Sequence, residues 1–123
     1  MKGLVISTEN KMSIREFAAP LYKSIGEAVG GLIEIVHPRR LESPYCMVVN
    51  EEGLLIGLPL NAYGSYLYCS DQHGSPIVGD IVILKEDFVR GERDFVGLED
   101  TEIQAMANSI IKLTHGNVCW AEN

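Results

Sequence analysis

A run of apolar residues from Ile77 to Leu84, broken only at Gly79-Asp80, constrains the fold of this chain more than any other sequence feature. A strand with one solvent-exposed face would alternate apolar and polar residues. This run does not, so it predicts a central strand that is covered on both faces and bent at Gly79. The chain has 123 residues, which is enough for one well-buried core and too few for two domains. We therefore expect a single domain over residues 1–123, in which Thr114–Asn123 either packs on the core or forms a loose tail.

Five shorter segments are expected to accompany this central strand. Most of them are rich in branched apolar side chains. The best-defined turn is Asn50-Glu51-Glu52-Gly53, where Asn begins and Gly ends a four-residue turn, so we predict an antiparallel hairpin across it. The charged segment Lys85–Gly97 is predicted to be irregular or to form a second hairpin at the surface. The five expected strands are Lys2–Ile6, Ser13–Phe17, Leu32–Val36, Tyr45–Val49 and Leu54–Ile56.

Three segments carry helical patterns with recognisable ends. Pro20 suits the start of a helix, and Gly30-Gly31 can end that helix in the left-handed conformation. Asn61 can cap a short helix, and the acidic pair Glu99-Asp100 can start the last one. The apolar positions at helical spacing are Leu21, Ile25, Ala28 and Val29, then Tyr63, Tyr66 and Leu67, then Ile103, Met106, Ala107, Ile110 and Ile111. Together these patterns predict an α+β fold with a mixed, mainly antiparallel sheet of four to six strands and two or three helices.

The charge of the chain argues against binding to nucleic acid or membranes. Ten Lys and Arg residues against seventeen Asp and Glu residues give a net charge of -7, which repels the phosphates of duplex nucleic acid and anionic lipid. The uncharged segment Gly53–Ser70 approaches the length of a membrane span, but its glycines and proline break a helix, so we expect no transmembrane segment. Three cysteines, and an N-terminal apolar run too short for a signal peptide, predict a cytoplasmic protein.

The sequence shows no established catalytic motif. It has no glycine-rich phosphate loop and no Gly-x-Ser-x-Gly motif, so we expect no enzymatic activity and no cofactor. One metal-site alternative stays open. Cys69 and His73 lie four residues apart, as do His115 and Cys119, and two such pairs could together hold a zinc ion.

A cluster of tyrosines suggests a binding site for a planar molecule. Three tyrosines fall within six residues of the uncharged segment, and a tyrosine ring offers both a stacking face and a hydroxyl. If a nucleotide binds, we expect Tyr63 or Tyr66 to stack on its base. Asn61 would hold the polar edges of the base, and Arg39 and Arg40 are the nearest candidates to contact phosphate. The alternative is that these rings only complete the core.

Four sequence blocks carry a resemblance to a known family. The blocks are Val29–Glu34 (VGGLIE), Val49–Leu54 (VNEEGL), Gly57–Asn61 (GLPLN) and Pro76–Val82 (PIVGDIV). In these blocks the chain resembles a family of small uncharacterised proteins carried by bacteriophages and conjugative elements. The resemblance implies an origin in a mobile element, a location in the cytoplasm of a bacterial host and an α+β domain. It supplies no catalytic residues.

These observations favour a small, non-enzymatic binding protein. Our main hypothesis is an anti-defence protein that sequesters a nucleotide-type signal, with a small nucleotide-like ligand or a host defence protein as its partner. A first alternative is an acidic inhibitor that binds a host protein through the surface around Glu86–Glu102. A second is a zinc-dependent hydrolase built on Cys69, His73, His115 and Cys119. Because small binding proteins often complete a pocket at a two-fold interface, we also expect a homo-oligomer.

Overall fold

Within residues 1–122, which the computed structural model describes, seven strands form one sheet and four helices accompany it. The strands are β1 (Lys2–Ile6), β2 (Lys11–Glu16), β3 (Ile33–Val36), β4 (Tyr45–Asn50), β5 (Ile81–Val89), β6 (Glu92–Val96) and β7 (Cys119–Trp120). The helices are α1 (Leu21–Val29), α2 (Ala62–Leu67), α3 (Ser70–His73) and α4 (Asp100–Leu113). The α+β class is confirmed. The numbers of strands and helices each exceed the expected range by one, because the two-residue β7 and the four-residue α3 are too short to be recognised from sequence.

The strand order is β3-β4-β5-β1-β2-β7, and β6 pairs with the outer part of β5. The pair of β2 and β7 is parallel, and the other pairs are antiparallel, so the sheet is mixed and mainly antiparallel as predicted. β5 lies between β4 and β1 at the centre of the sheet, but it begins at Ile81 rather than at Ile77. Gly79 has a φ of 80°, so the chain turns there before the strand starts.

Alternate residues of β5 enter two different cores. Ile81 and Ile83 pack with residues of α2 and α4 on one face of the sheet. Val82 and Leu84 pack with residues of α1 on the other face. All four side chains are buried, and each stabilises the fold by about 1.5–3 kcal/mol relative to its exposed form. The prediction of a central strand covered on both faces is therefore confirmed.

Helix ends lie where the sequence indicates them. α1 follows Pro20 and ends at Gly30, whose φ of 87° is the left-handed conformation that glycine adopts readily. Asn61 caps α2, and Glu99 and Glu102 form a capping box at the start of α4. Local sequence signals are thus sufficient to position these ends. No helix within residues 1–122 combines the length and the apolar character needed to cross a bilayer.

The hairpin predicted across Asn50–Gly53 is wrong. The chain does form a strand up to Asn50, but it then runs through consecutive turns to Gly57, and Leu54–Ile56 is not a strand. The reason is that β4 already pairs with β3 along one edge and with β5 along the other. Because both edges of β4 are occupied, the returning segment has no backbone groups to pair with. The charged segment Lys85–Gly97, by contrast, does form a surface hairpin, from the end of β5 and β6.

The C-terminal segment is part of the sheet rather than a loose tail. β7 pairs in parallel with β2, with Lys11 opposite Cys119 and Met12 opposite Trp120. Val118, immediately before β7, is buried in the core on the α4 face. This pairing brings β7 beside the turn between β1 and β2, and Asn123 lies outside the described residues.

Candidate functional site

A concave site lies between α2 and the segment that follows α4, and we call it the tyrosine cleft. Its volume is about 480 Å³, within the usual range for small-molecule sites. Its walls come from the β1–β2 turn, α2 and the C-terminal segment. The residues that line it are Asn10, Ala62, Tyr63, Tyr66, Leu113, Thr114, His115, Asn117 and Val118.

Helix α2 presents two tyrosine rings with different degrees of exposure. Tyr63 and Tyr66 are three residues apart, so they share one side of the helix. Their ring centroids are 5.9 Å apart and the rings are 30° from parallel. Tyr63 is only 8% exposed, whereas Tyr66 is 43% exposed. Tyr63 therefore supports Tyr66 from within the core, and Tyr66 leaves ring surface free for a ligand.

The hydroxyl of Tyr63 is a neutral donor. Burial, and to a lesser degree the neighbouring Tyr66, raises the pKa of Tyr63 to about 12. No residue between 1 and 122 hydrogen-bonds this hydroxyl. The site thus offers a protonated hydroxyl at neutral pH.

Arg40, one of the two arginines expected to contact phosphate, lies over the ring of Tyr66. Its guanidinium carbon is 4.5 Å from the centroid of the Tyr66 ring, which is a cation–π contact. Its Nη1 donates to the carbonyl oxygen of Tyr66 at 2.8 Å and to Oδ1 of Asp71 at 3.2 Å. Arg39 is exposed and makes no ion pair with any residue between 1 and 122. The structure therefore brings Tyr63, Tyr66 and Arg40 together and leaves Arg39 outside.

A second hollow lies on the Arg40 side of Tyr66. Its volume is about 340 Å³, and its lining includes Arg40, Ser65, Ser70 and Asp71. Tyr66 lines both this hollow and the tyrosine cleft, and so does Ala62. Tyr66 thus lies between the tyrosine cleft, whose lining has no Lys, Arg, Asp or Glu, and a hollow that contains a guanidinium group.

Asn61 does not line the cleft, so its expected role in holding a ligand is corrected. Its side chain is fully buried. Oδ1 accepts the N–H of Gly64 at 2.9 Å, and Nδ2 donates to the carbonyl oxygens of Ile6 at 3.0 Å and Gly79 at 2.9 Å. Both amide atoms are satisfied by the protein, so Asn61 positions α2 and cannot contact a ligand directly.

The four Cys and His residues of the zinc hypothesis do not assemble. Within residues 1–122, no group of three or more His, Cys, Asp and Glu side chains is placed to hold a metal ion. Cys69 is buried, His73 is hydrogen-bonded to the carbonyl oxygen of Tyr68, and Sγ of Cys119 lies 3.3 Å from Nζ of Lys11. Only His115 reaches the tyrosine cleft. The four residues therefore do not meet as one metal site within residues 1–122.

Another polar hollow, of about 270 Å³, lies at the base of the β5–β6 hairpin. It contains a hydrogen bond between Nε2 of His37 and the carboxylate of Glu86. Behind it, burial and then the nearby Glu86 raise the pKa of the Cys46 thiol to about 12. A buried thiol that stays protonated is not a nucleophile, so this histidine and cysteine do not form a catalytic pair.

Two residues of the tyrosine cleft, Asn10 and Asn117, carried no functional signal in the sequence, and a third, His115, was considered only as a zinc ligand. Asn10 reads as an ordinary turn residue, and His115 and Asn117 fall in a segment that could equally have been a loose tail. They meet only because β7 pairs with β2. A motif search along the chain cannot find such a group, because its members are about a hundred residues apart.

Comparison with known proteins gives one match. A family model described as a domain of unknown function, DUF3846, matches residues 1–111. No curated protein and no solved structure matches the chain. The matched part includes Asn10, Tyr63, Tyr66 and Arg40, and the cleft residues from Leu113 to Val118 lie beyond it.

Proposed function

This chain belongs to the DUF3846 family, a domain of unknown function, and we propose that it is a non-enzymatic binding protein for a small, planar ligand of nucleotide type. The observation that carries the proposal is Tyr66. Its half-exposed ring forms a wall of a cleft of about 480 Å³ and is in contact with a guanidinium group. A nucleotide has a flat base and a charged phosphate, and an aromatic ring beside a guanidinium group is suited to bind both.

The base is proposed to occupy the tyrosine cleft and to stack on Tyr66. Stacking of a base on an aromatic side chain contributes about 1–3 kcal/mol to binding. The residues that line the cleft include no Lys, Arg, Asp or Glu. A cleft without these four residue types suits an uncharged heterocycle better than a phosphate.

The phosphate is proposed to lie in the second hollow, next to Arg40. A guanidinium group carries five N–H donors, and the hydrogen bonds of Arg40 to Tyr66 and Asp71 both use Nη1. The remaining donors can form charge-assisted hydrogen bonds with phosphate oxygens. Asp71 competes for Arg40, but its side chain is 62% exposed and can move into solvent.

The biological setting is a further part of the proposal. Capture of a nucleotide signal is a role that suits an anti-defence protein encoded by a phage or conjugative element and acting in the cytoplasm of the host. Self-association of the chain would fit such a role, since a second copy can close an open cleft.

The proposal is tested by titrating the protein with nucleoside monophosphates, cyclic dinucleotides and ADP-ribose in a calorimeter. We expect Tyr66→Ala to weaken binding of the best ligand about tenfold or more, the loss that corresponds to one stacking contact. Tyr22→Ala is the matched control, because Tyr22 is an exposed tyrosine on α1 and does not line the cleft. No heat and no thermal stabilisation with any of these ligands at millimolar concentration would reject the proposal.

The contribution of Arg40 is separable from that of Tyr66. Arg40→Gln should weaken binding of the phosphorylated ligand and leave binding of the corresponding nucleoside nearly unchanged. Arg39→Gln, one residue away and exposed, should change neither. Equal effects of the two substitutions would show that phosphate is attracted only by general positive charge.

The β5–β6 hairpin favours a second candidate function, inhibition of a host protein. Phe88 is 68% exposed near its tip, and Arg93 lies over its ring with 5.7 Å between Cζ and the ring centroid. Acidic side chains at Asp87, Glu92 and Asp94 are exposed on the same hairpin. An exposed aromatic among acids suits a partner with a basic surface. Reversing the charges of Glu92, Asp94 and Glu99 should then abolish a salt-sensitive interaction with that partner.

A further inference from the structure

The turn that follows β4 exposes three consecutive aliphatic side chains. Leu54, Leu55 and Ile56 are 64%, 84% and 57% exposed. A single exposed leucine is ordinary in a globular protein, but a run of three is not, and such a cluster is typical of a surface that binds a partner. These residues line neither the tyrosine cleft nor the second hollow. The proposed nucleotide binding therefore does not explain them.

Hydrogen bonds and one buried contact hold this turn in place. The N–H of Ile56 donates to the carbonyl oxygen of Glu52 at 3.1 Å, and the N–H of Leu58 donates to the carbonyl oxygen of Gly53 at 3.0 Å. Leu58 packs so closely against Gly79 that a Cβ atom on that glycine would lie 2.8 Å from its Cδ1. Leu58 thus anchors the turn on the protein, which leaves the exposed run at the surface.

The exposed run continues onto the start of β3. Leu32, immediately before that strand, is also exposed, and its carbonyl oxygen accepts the N–H of Glu51 at 2.8 Å. Leu54 and Glu34 of β3 line the same small hollow. The turn and the start of β3 therefore form one surface. We call it the aliphatic patch, and its residues are Leu32, Leu54, Leu55 and Ile56.

The acidic side chains around the aliphatic patch have no counterion in the protein. Glu34, Glu51 and Glu52 are exposed, and none of them forms an ion pair with any residue between 1 and 122. The segments 24–38 and 41–84, which contain the patch, have no Lys or Arg. The patch is thus an apolar centre with an acidic rim.

This acidic rim distinguishes between the possible occupants of the patch. A two-fold interface would place the same acidic residues of a second copy against the rim, and an anionic membrane would also be repelled. A protein surface with an apolar centre and basic residues around it would complement both the patch and its rim. The charges therefore favour a basic partner protein over a second copy or a membrane.

We propose that the aliphatic patch is a docking surface for a protein that presents an apolar face flanked by Lys or Arg. Leu55, the most exposed of its four residues, is the central anchor, and the three rim carboxylates orient the partner. The inference goes beyond nucleotide binding and does not depend on it. β3 and β7 are at opposite ends of the strand order, and the tyrosine cleft lies on the β7 side.

A short amphipathic helical peptide of leucine and lysine supplies this chemistry and serves as the probe. Its binding is measured by fluorescence anisotropy. We expect Leu55→Ser to weaken binding about tenfold, a usual loss when the anchor of an interface is removed. Ile14→Ser is the matched control and should bind like wild type, because Ile14 is an exposed aliphatic residue on β2, away from the patch. Equal binding by wild type and Leu55→Ser would overturn the inference.

The role of the acidic rim is tested by charge reversal. Glu51→Lys combined with Glu52→Lys should weaken binding of the leucine–lysine peptide and strengthen binding of the corresponding leucine–glutamate peptide. Glu92→Lys combined with Asp94→Lys, on the β5–β6 hairpin, changes the net charge by the same amount and is the control. If both double variants weaken the peptide equally, only the net charge attracts it and the docking surface is refuted.

Two further measurements use the wild-type protein, so the inference stays testable if Leu55→Ser does not fold. A serine–lysine peptide of the same charge should bind much more weakly than the leucine–lysine peptide, and equal binding would show that the apolar contact is absent. Sedimentation and binding to phosphatidylcholine vesicles test the other occupants. Dimers or vesicle binding that Leu55→Ser abolishes would assign the patch to a second copy or a membrane and overturn the proposal.

Nucleotide titration separates this inference from the proposed function. Leu55→Ser should bind nucleotides like wild type, because Leu55 does not line the tyrosine cleft or the second hollow. Loss of nucleotide binding in this variant would contradict the separation of the two surfaces. Failure of wild type to bind any nucleotide would reject the proposed function and leave the aliphatic patch to be judged by the peptide alone.

Discussion

Asn61 connects three parts of the molecule through one buried carboxamide. Its Oδ1 caps α2, and its Nδ2 donates to the carbonyl oxygens of Ile6 at the end of β1 and Gly79 before β5. The same side chain therefore sets the position of the helix that carries Tyr63 and Tyr66. This arrangement makes the geometry of the cleft depend on a residue that does not line it.

We predict that Asn61→Ala lowers the free energy of unfolding by about 2–4 kcal/mol. Loss of an N-terminal cap contributes about 1 kcal/mol, and two buried carbonyl oxygens lose their donor. Urea denaturation monitored by circular dichroism measures the change. Asn117→Ala is the control, because Asn117 is exposed and its removal should change stability by less than about 0.5 kcal/mol. A loss for Asn61→Ala as small as that of the control would contradict the role assigned to Asn61.

At the scale of the elements, local signals were sufficient for the ends of α1, α2 and α4 and insufficient for strand pairing. Gly30, Asn61 and Glu99 each cap a helix through backbone groups within a few residues, so these caps can be predicted from the sequence. The failed hairpin after Asn50 depended instead on which strands had already occupied both edges of β4. Which strands pair depends on the arrangement of the whole sheet, so it cannot be predicted from a local turn pattern.

The same distinction applies to the candidate site. Tyr63, Tyr66 and Arg40 were expected because each carries chemistry that suits a nucleotide, and they do lie together. Asn10 was missed because its neighbours in the cleft come from α2 and from the end of the chain. The sequence could supply the reactive residue types but not the distant contacts that assemble a cleft.

The carboxylate of Glu102 connects helix α4 to strands β4 and β5 of the sheet through hydrogen bonds. Its Oε1 accepts from Nζ of Lys85 at 2.9 Å and from the N–H of Glu99 at 2.6 Å, and its Oε2 accepts from the hydroxyl of Tyr45 at 2.8 Å. Burial alone would raise the pKa of Glu102, but these hydrogen bonds outweigh it and lower the pKa below its usual value. The ionised form is thus favoured in the folded protein.

We predict that Glu102→Gln lowers stability at pH 7 and that this loss disappears in acid. The pKa of Glu102 is higher in the unfolded chain than in the folded protein. The stabilisation that ionised Glu102 gives to the fold is therefore complete above its ordinary pKa of about 4.5. It is lost as the pH falls through the lower pKa of the folded state. At pH 7 we expect a difference of about 1–3 kcal/mol from wild type, the usual contribution of a hydrogen bond to a charged group.

Urea denaturation of wild type and Glu102→Gln at pH 7 and pH 3 tests this prediction. The control is Glu92→Gln, because Glu92 is exposed and forms no ion pair with any residue between 1 and 122. That variant should track wild type at both pH values. A Glu102→Gln difference that stays constant between pH 7 and pH 3 would show that the lost interaction is not ionic.

At the scale of the whole molecule, the segment after α4 joins the sheet to the cleft. Val118 is buried in the core. The N–H of Cys119 donates to the carbonyl oxygen of Asn10, and the N–H of Ala121 donates to the carbonyl oxygen of Met12 at 2.8 Å. This segment lies beyond the residues that the family model matches. The matched region thus carries Tyr63 and Tyr66, and the segment beyond it supplies the opposite wall of the tyrosine cleft.

We predict that a chain ending at Asn117 loses both stability and ligand binding, whereas a chain ending at Ala121 keeps both. The shorter chain loses the burial of Val118, about 1.5–3 kcal/mol, together with the hydrogen bonds of β7 to the β1–β2 turn and β2. Thermal denaturation measures the first effect, and nucleotide titration at a temperature where both chains are folded measures the second. If the chain ending at Asn117 binds nucleotides as tightly as the longer one, the β7 segment has no part in the site.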